Sequence, residues 1–264
     1  MTVLKTCGLL LALLIAGSAS ANESIMKELA PTGKLRVALV FAPSMSVFFV
    51  VKDADGKPVG VTKTLADELG KRLGVPVETV LFPNSGLATD AVESGAVDVS
   101  FMPVDEERKK RIAFGPAYVQ AESTYMVTAA TAAKTVDDVD KAGMRVVGIA
   151  NTTTIRAATR TLKNTRIVAV TSVEEAVGLL RDGKADAFAL SRDSLPTYVK
   201  QVPGSHMVDG AFQQIAIAIA VAKNKPAALA AVTEFMDEAK KNGTVRRALD
   251  NAGFKNDPVA PLTQ

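Results

Sequence analysis

The sequence predicts an α/β protein built from two similar units. Strand-like and helix-like segments alternate along most of the chain, and such alternation is typical of parallel sheets covered by helices. Two segments about 88 residues apart also share one sequence pattern. Each has a helix end, a glycine, an aspartate three residues later and an apolar strand (Gly95 with Asp98, Gly183 with Asp186). This repeated pattern is consistent with two lobes of similar α/β architecture.

The individual elements follow from local patterning. Leu65, Leu69 and Leu73 recur every four residues and form one apolar helical stripe, which Gly74 and Pro76 bring to an end. Short apolar runs between turn residues predict strands over 35–41, 77–82, 97–102, 145–150, 166–170, 185–190 and 214–222. Helices are predicted over 64–73, 85–94, 152–162, 173–181, 226–241 and 244–251.

The first 21 residues predict export. Lys5 precedes an apolar run over 8–16, and small residues lead to Ala21, which is the order found in secretory signal peptides. A membrane anchor is the alternative, but a span needs about 20 apolar residues. We therefore expect a signal peptide over 1–21 and a periplasmic protein of 243 residues.

Composition excludes several classes of function. Cys7 is the only cysteine and lies in the predicted signal peptide, so neither a disulfide, cysteine catalysis nor a thiolate metal site is expected in the mature chain. The chain has 31 basic and 28 acidic residues, interspersed rather than gathered in one patch, so no nucleic-acid partner is expected. No motif for a cofactor or a metal is present.

Six segments occur in an order that resembles a known family. Together they are similar to bacterial extracellular solute-binding proteins of family 3, the type II periplasmic binding proteins of polar amino acid ABC importers. The segments are 33–38, 52–61, 65–75, 93–99, 106–118 and 241–244.

The resemblance implies two α/β lobes joined by two hinge strands, the periplasmic binding protein-like II fold. Lobe 1 would comprise 22–128 with 211–264, lobe 2 would comprise 129–210, and the hinges would lie near 125–130 and 212–219. A monomer would close over one small molecule, a carboxylate or an amino-acid-like solute, and deliver it to the membrane permease of an ABC transporter. The resemblance implies neither a cofactor nor a metal.

Two groups of residues are candidates for binding the solute. Arg108 aligns with the family arginine that holds a ligand carboxylate, and its planar guanidinium suits a bidentate contact, although a surface ion pair is the alternative. Asn151, Thr152 and Thr153 follow a strand and open a helix, where free N–H groups and hydroxyls can receive an anion. A simple N-cap would need only one of them.

Departures from the family pattern narrow the ligand class. Phe101 and Pro103 replace hydroxyl residues, Ser191 replaces the acid that would pair with an ammonium group, and Ser46 replaces an aromatic residue beside Phe49. Burying an ammonium group without a carboxylate is costly, so a small organic anion with an apolar body is favoured. The predicted ligand contacts are Arg108, Phe101, Asn151, Thr152, Thr153, Ser191, Ser46 and Phe49.

An enzyme on the same fold is the competing interpretation, because the chain also resembles periplasmic cyclohexadienyl dehydratases. That chemistry needs a general acid or base in the cleft. His206 lies in a loop-like segment and lacks an orienting partner, so an exposed loop residue is its simpler interpretation. Glu122, just after Tyr118, is a possible acid in the cleft, with a structural role as the alternative. We expect a binding protein rather than an enzyme.

Overall fold

The computed structural model describes residues 22–262. The predicted signal peptide and Cys7 lie outside these residues. Eleven strands are present in the described part: β1 Leu35–Val40, β2 Val51–Lys52, β3 Pro58–Val59, β4 Val77–Phe82, β5 Val99–Pro103, β6 Ile112–Val127, β7 Val146–Ile149, β8 Ile167–Val170, β9 Ala187–Ser191, β10 His206–Met207 and β11 Gln213–Ala222.

Ten helices accompany these strands between residues 22 and 262. They are α1 over 22–29, α2 Val61–Leu73, α3 Ser85–Ser94, α4 Glu106–Arg111, α5 Val136–Val139, α6 Thr153–Thr161, α7 Val173–Arg181, α8 Leu195–Val199, α9 Pro226–Lys241 and α10 Thr244–Asn251. Within this range no helix combines the length and the apolar composition that a membrane span requires.

Nine strands form one mixed sheet in the order β4-β1-β5-β11-β6-β9-β7-β8, with β10 paired to β6. The outer strands β4-β1-β5 and β9-β7-β8 run parallel, as the alternation of elements predicts. The expectation of purely parallel sheets is wrong at the centre, where β11 and β6 pair antiparallel with each other and with their outer neighbours. Antiparallel neighbours need no crossover helix, so the strand–helix alternation gives no sign of them.

The long strand β6 joins two groups of elements. It pairs with β11 from Ile112 to Ser123 and with β9 from Ser123 to Val127. We call β4, β1, β5 and β11 with their helices the β1 side, and β9, β7 and β8 with their helices the β7 side. Helix α3 packs on β1, β5 and β11, whereas α6 and α7 pack on the strands of the β7 side.

The repeated sequence pattern has the same structural basis on both sides. Arg36, in β1, donates from its backbone N–H to Asp98 Oδ2 at 3.0 Å and from Nη2 to Oδ1 at 2.7 Å. Arg145, just before β7, donates to Asp186 in the same way, at 2.9 and 2.6 Å. In each unit a bidentate arginine at one parallel strand therefore holds the aspartate that directly precedes the neighbouring strand.

Candidate functional site

A cavity lies between the β1 side and the β7 side, where strands of both sides end. Including its open mouth it measures about 660 Å³. Ligands of α/β proteins commonly bind at the carboxyl ends of parallel strands, because the loops there converge on one crevice. Residues of both sides line the cavity, among them Ser46, Val47, Phe48, Phe49, Asn84, Ser85, Pro103, Ser123, Ile149, Thr152, Thr153, Thr154, Ser191 and Ile215.

The starts of two helices line the cavity, one from each side. Asn84 caps α3 by accepting the N–H of Leu87, and Thr152 caps α6 by accepting the N–H of Ile155. The next N–H groups of both helices have no partner within their helix, and both helix dipoles are positive at these ends. Thr153 is buried and lines the cavity. Together these groups can hold an anion.

Arg108 is buried directly behind this wall. It is only 3% exposed, and its guanidinium donates to the Pro103 carbonyl at 2.9 Å and to Ser85 Oγ at 2.6 Å. Burial lowers its pKa to about 9, while the charge of Asp105 opposes that change. Arg108 thus touches two residues of the cavity wall without itself lining the cavity. It polarises Ser85 and adds positive potential at the start of α3.

The loop before β2 forms an apolar wall. Ser46 is fully buried, and its hydroxyl accepts the N–H groups of Phe48 at 3.0 Å and Phe49 at 2.7 Å. This turn brings both phenylalanines to the cavity, with their ring centroids 5.1 Å apart. Phe101 packs instead against Tyr118 in the core, edge to face at 6.0 Å, away from the lining residues.

The remaining predicted residues occupy different positions. Ser191 lines the cavity at the end of β9, and its hydroxyl contacts that of Ser194 at 2.9 Å. Asn151 is exposed and is not among the lining residues; it has a left-handed φ of 60° and packs against Gly86 at the start of α3. Met102 is buried in the core, as expected for an apolar residue of a central strand.

Direct contacts join the two sides on both flanks of the cavity. Arg156 in α6 donates from Nε to Asp105 Oδ2 at 2.9 Å, and Asp105 also caps α4, the helix that carries Arg108. On the other flank, Ser44 donates from its hydroxyl to Thr197 Oγ1 at 2.8 Å. The two sides therefore touch each other on both flanks of the cavity.

Two further contacts of this kind come from the same loop. The N–H of Ser44 donates to the Tyr198 hydroxyl at 3.2 Å, and the N–H of Val47 donates to Asp193 Oδ2 at 2.7 Å. The loop over 44–47 thus docks on the segment between β9 and the end of α8.

No charged side chain is among the lining residues in the described part of the chain. Glu122 pairs with Arg192 at 2.9 Å and accepts from Gln214 at 3.0 Å, away from the cavity. His206 is exposed, with Nε2 2.9 Å from the Ala133 carbonyl. Among residues 22–262, no three His, Cys, Asp or Glu side chains are grouped to hold a metal.

Several site residues are absent from the sequence prediction. Asn84 and Ser85 follow β4 as Asn151 and Thr152 follow β7, so the same reasoning about a polar corner after a strand could have found them. Ser123 lies where β6 passes from one side to the other. Its position depends on strand pairing, which no local pattern reveals.

Comparisons with known proteins agree with this architecture. The family model described as "Bacterial extracellular solute-binding proteins, family 3" matches residues 39–253. A glutamine-binding protein of Geobacillus stearothermophilus is 23% identical over 208 residues, which cover 77% of this chain and 78% of that protein.

Solved structures show the same fold. A mutant of ArgBP from T. maritima superposes with a TM-score of 0.74 at 26% identity, covering 88% of this chain and 98% of that one. An ancestral amino acid-binding protein, described as a precursor of cyclohexadienyl dehydratase, gives 0.73 at 29% identity, covering 87% and 98%. The chain belongs to the bacterial extracellular solute-binding proteins of family 3, and it has the type II periplasmic binding protein fold.

Proposed function

We propose that this protein is the periplasmic solute-binding component of an ABC importer and that it captures a small organic acid in the cavity. The observation that carries the proposal is the pair of helix starts, α3 and α6, that face one cavity from opposite sides. Backed by Arg108, they supply positive potential to a cavity whose lining is otherwise apolar or neutral.

Capture would involve motion of two lobes. Lobe 1 comprises 22–128 with 211–264 and lobe 2 comprises 129–210, and β6 and β11 act as the hinge strands. In support, polar contacts join the two sides around the cavity, such as Asp105 with Arg156. Such contacts can form and break as the lobes close and open.

The ligand is an acid without an ammonium group. Solved relatives include amino acid-binding proteins, so a carboxylate is the shared feature we carry over. An ammonium group would find hydroxyls but no carboxylate among the lining residues, and burying it unpaired is costly. The rings of Phe48 and Phe49 provide the surface for an apolar body.

A thermal-shift screen with matched pairs tests the ligand class. Each pair differs only at the α-position: 4-methyl-2-oxopentanoate with leucine, and phenylpyruvate with phenylalanine, with glutamine and arginine added as ligands of relatives. We expect the oxo acids to raise the melting temperature and the amino acids to leave it unchanged. Micromolar binding of a common amino acid, measured by calorimetry, would contradict the proposal.

An enzymatic function has one observation in its favour, the structural likeness to the precursor of cyclohexadienyl dehydratase. Incubation with prephenate or arogenate separates the two possibilities. We expect reversible binding at most, because neither Glu122 nor His206 is among the lining residues. Formation of product would favour the enzyme.

The monomeric state and the permease partner are part of the same proposal. Light scattering on residues 22–264 should give one species of monomer mass with and without a bound acid. A stable dimer would contradict this part.

A further inference from the structure

Asp193 is a carboxylate at the contact between the two sides, and one of its oxygens is unpaired. It lies between β9 and α8 on the β7 side, and Oδ2 accepts the N–H of Val47, from the β1 side, at 2.7 Å. Its Oδ1 is buried and has no hydrogen-bond partner. Burying an ionised carboxylate oxygen without a hydrogen bond is unfavourable. A protonated carboxyl group carries no charge and avoids this cost.

The charge facing this carboxylate is negative. Asp257, in the C-terminal segment of the β1 side, repels it, and burial also raises the pKa of Asp257. Tyr118 in β6 donates its hydroxyl to the Val47 carbonyl at 2.7 Å rather than to Asp193. Burial raises the pKa of Tyr118 well above its ordinary value, so this phenol stays neutral.

The nearby cations are engaged elsewhere. Arg192 pairs with Glu122 at 2.9 Å, and Arg246 donates to the backbone carbonyl of Asp257 at 2.6 Å. Within residues 22–262, no lysine or arginine forms a salt bridge with Asp193. The neighbouring Ser191 hydroxyl stabilises the ionised form, although its hydrogen bond goes to Ser194 Oγ at 2.9 Å.

Burial is the main cause that raises the pKa of Asp193, and repulsion from Asp257 adds to it, while the N–H of Val47 opposes it. Both Val47 and Asp257 belong to the β1 side. Separation of the two sides would therefore expose Asp193 to water and return its pKa towards the ordinary value.

We propose that closure of the cavity takes up one proton, held at Oδ1 of Asp193, so that the protein captures its acid together with a proton. This inference rests on the two-lobe motion of the proposed function. It makes the closed form a proton-binding state, in addition to a solute-binding one.

The direction of the pH effect follows from linkage. The pKa is higher in the closed form, so closure is favoured as pH falls, and the advantage is lost as pH rises through the closed-state pKa. Between the open-state and closed-state values, uptake of one proton changes the closed-to-open ratio by up to tenfold per pH unit. Outside that interval the ratio is constant.

The experiment measures closure without any solute. The chain from Asn22 onward contains no cysteine, so the variants Lys57→Cys and Lys184→Cys place one fluorescent label on an exposed position of each side. Single-molecule energy transfer between pH 5 and pH 8 then counts closed and open molecules. We expect the closed-to-open ratio to increase from pH 8 to pH 5.

The variant Asp193→Asn distinguishes proton uptake by this carboxylate from a purely structural role. Asparagine still accepts the N–H of Val47 but carries no charge, so we expect a pH-independent ratio that exceeds the wild-type ratio at pH 8. Asp67→Asn, which removes a surface carboxylate paired with Lys63, should keep the wild-type pH profile.

Two results would overturn the inference: a wild-type ratio that does not change with pH, or a pH dependence that persists in Asp193→Asn. Because no solute is present, failure of every acid in the thermal-shift screen would leave this inference standing. Conversely, an acid that binds without proton uptake would leave the proposed function standing.

Discussion

Gly86 packs directly against Asn151 of the other side, so adding one methyl group there should keep the protein folded and prevent full closure. A Cβ at this position would lie 2.5 Å from the Cβ of Asn151 and 3.0 Å from the Asn151 carbonyl oxygen. Carbon atoms normally pack at about 3.5–4.0 Å, so the two sides would have to separate by roughly 1 Å. Asn151 already has a left-handed φ of 60°, which leaves its turn little freedom to adjust.

The expected magnitude follows from packing and helix propensity. Overpacking costs about 1–3 kcal/mol, which corresponds to a loss of roughly 5- to 150-fold in the closed-to-open ratio and in solute affinity. Folding should not suffer, since alanine is favoured over glycine inside a helix by about 0.5–1 kcal/mol. Gly86→Ala should therefore weaken closure and solute binding while it slightly increases the stability of the fold.

Energy transfer between labels at 57 and 184 measures closure, and urea unfolding followed by circular dichroism measures stability. Gly178→Ala, in α7, is the matched control, because nothing lies within 4 Å of its added Cβ. It should increase stability by the same 0.5–1 kcal/mol and leave closure unchanged. If Gly86→Ala closes as readily as the wild type, the reasoning about this contact is wrong.

Three further predictions concern charged groups. Arg108→Met should reduce affinity for a bound acid by about 1.5–3 kcal/mol in calorimetry, because Ser85 in the cavity wall loses its charged hydrogen-bond donor. The unfolding free energy of this variant should change little. Removing the buried charge should stabilise the fold by roughly 5 kcal/mol, and losing two charged hydrogen bonds of about 1.5–3 kcal/mol each should offset that gain. Asp98→Ala should lower the unfolding free energy by about 1.5–3 kcal/mol, because the partly exposed Arg36 loses its charged hydrogen bonds to this buried carboxylate. Asp105→Asn keeps the cap of α4 but removes the charge facing Arg156. A double-mutant cycle with Arg156→Gln should give a coupling of about 0.5–3 kcal/mol in solute affinity, and zero coupling would exclude a role in closure.

Local patterning was sufficient for most outer elements. The strand over 77–82 and the helices over 85–94, 173–181, 226–241 and 244–251 match the structure residue for residue. Each has a strong periodicity and a clear capping or breaking residue at its ends. Predictions of this kind need no knowledge of the partner element.

The strand β6 shows where local patterning fails. It contains Gly115 and Pro116, which usually interrupt a strand, and only its far end was predicted as a hinge. The structure accommodates these residues through register shifts in the pairing with β11, near Ala218. The partner strand lies about a hundred residues away, so the sequence around β6 could not reveal this solution.

The candidate site divides in the same way. The polar corner at Thr152 and Thr153 was predictable, because a strand, a run of hydroxyl residues and a helix follow one another along the chain. The roles of Gly86 and Asp193 were not, because each depends on a contact between segments far apart in sequence. Phe101 was assigned to the ligand by alignment, whereas its neighbour Tyr118 holds it in the core.

A crystal structure of residues 22–264 with the acid that most raises the melting temperature would show where the carboxylate binds. We expect the carboxylate between the starts of α3 and α6, within hydrogen-bond distance of Ser85 or Thr153, and the apolar body against Phe48 and Phe49. An acid bound outside this cavity, or one whose carboxylate points away from both helix starts, would contradict it.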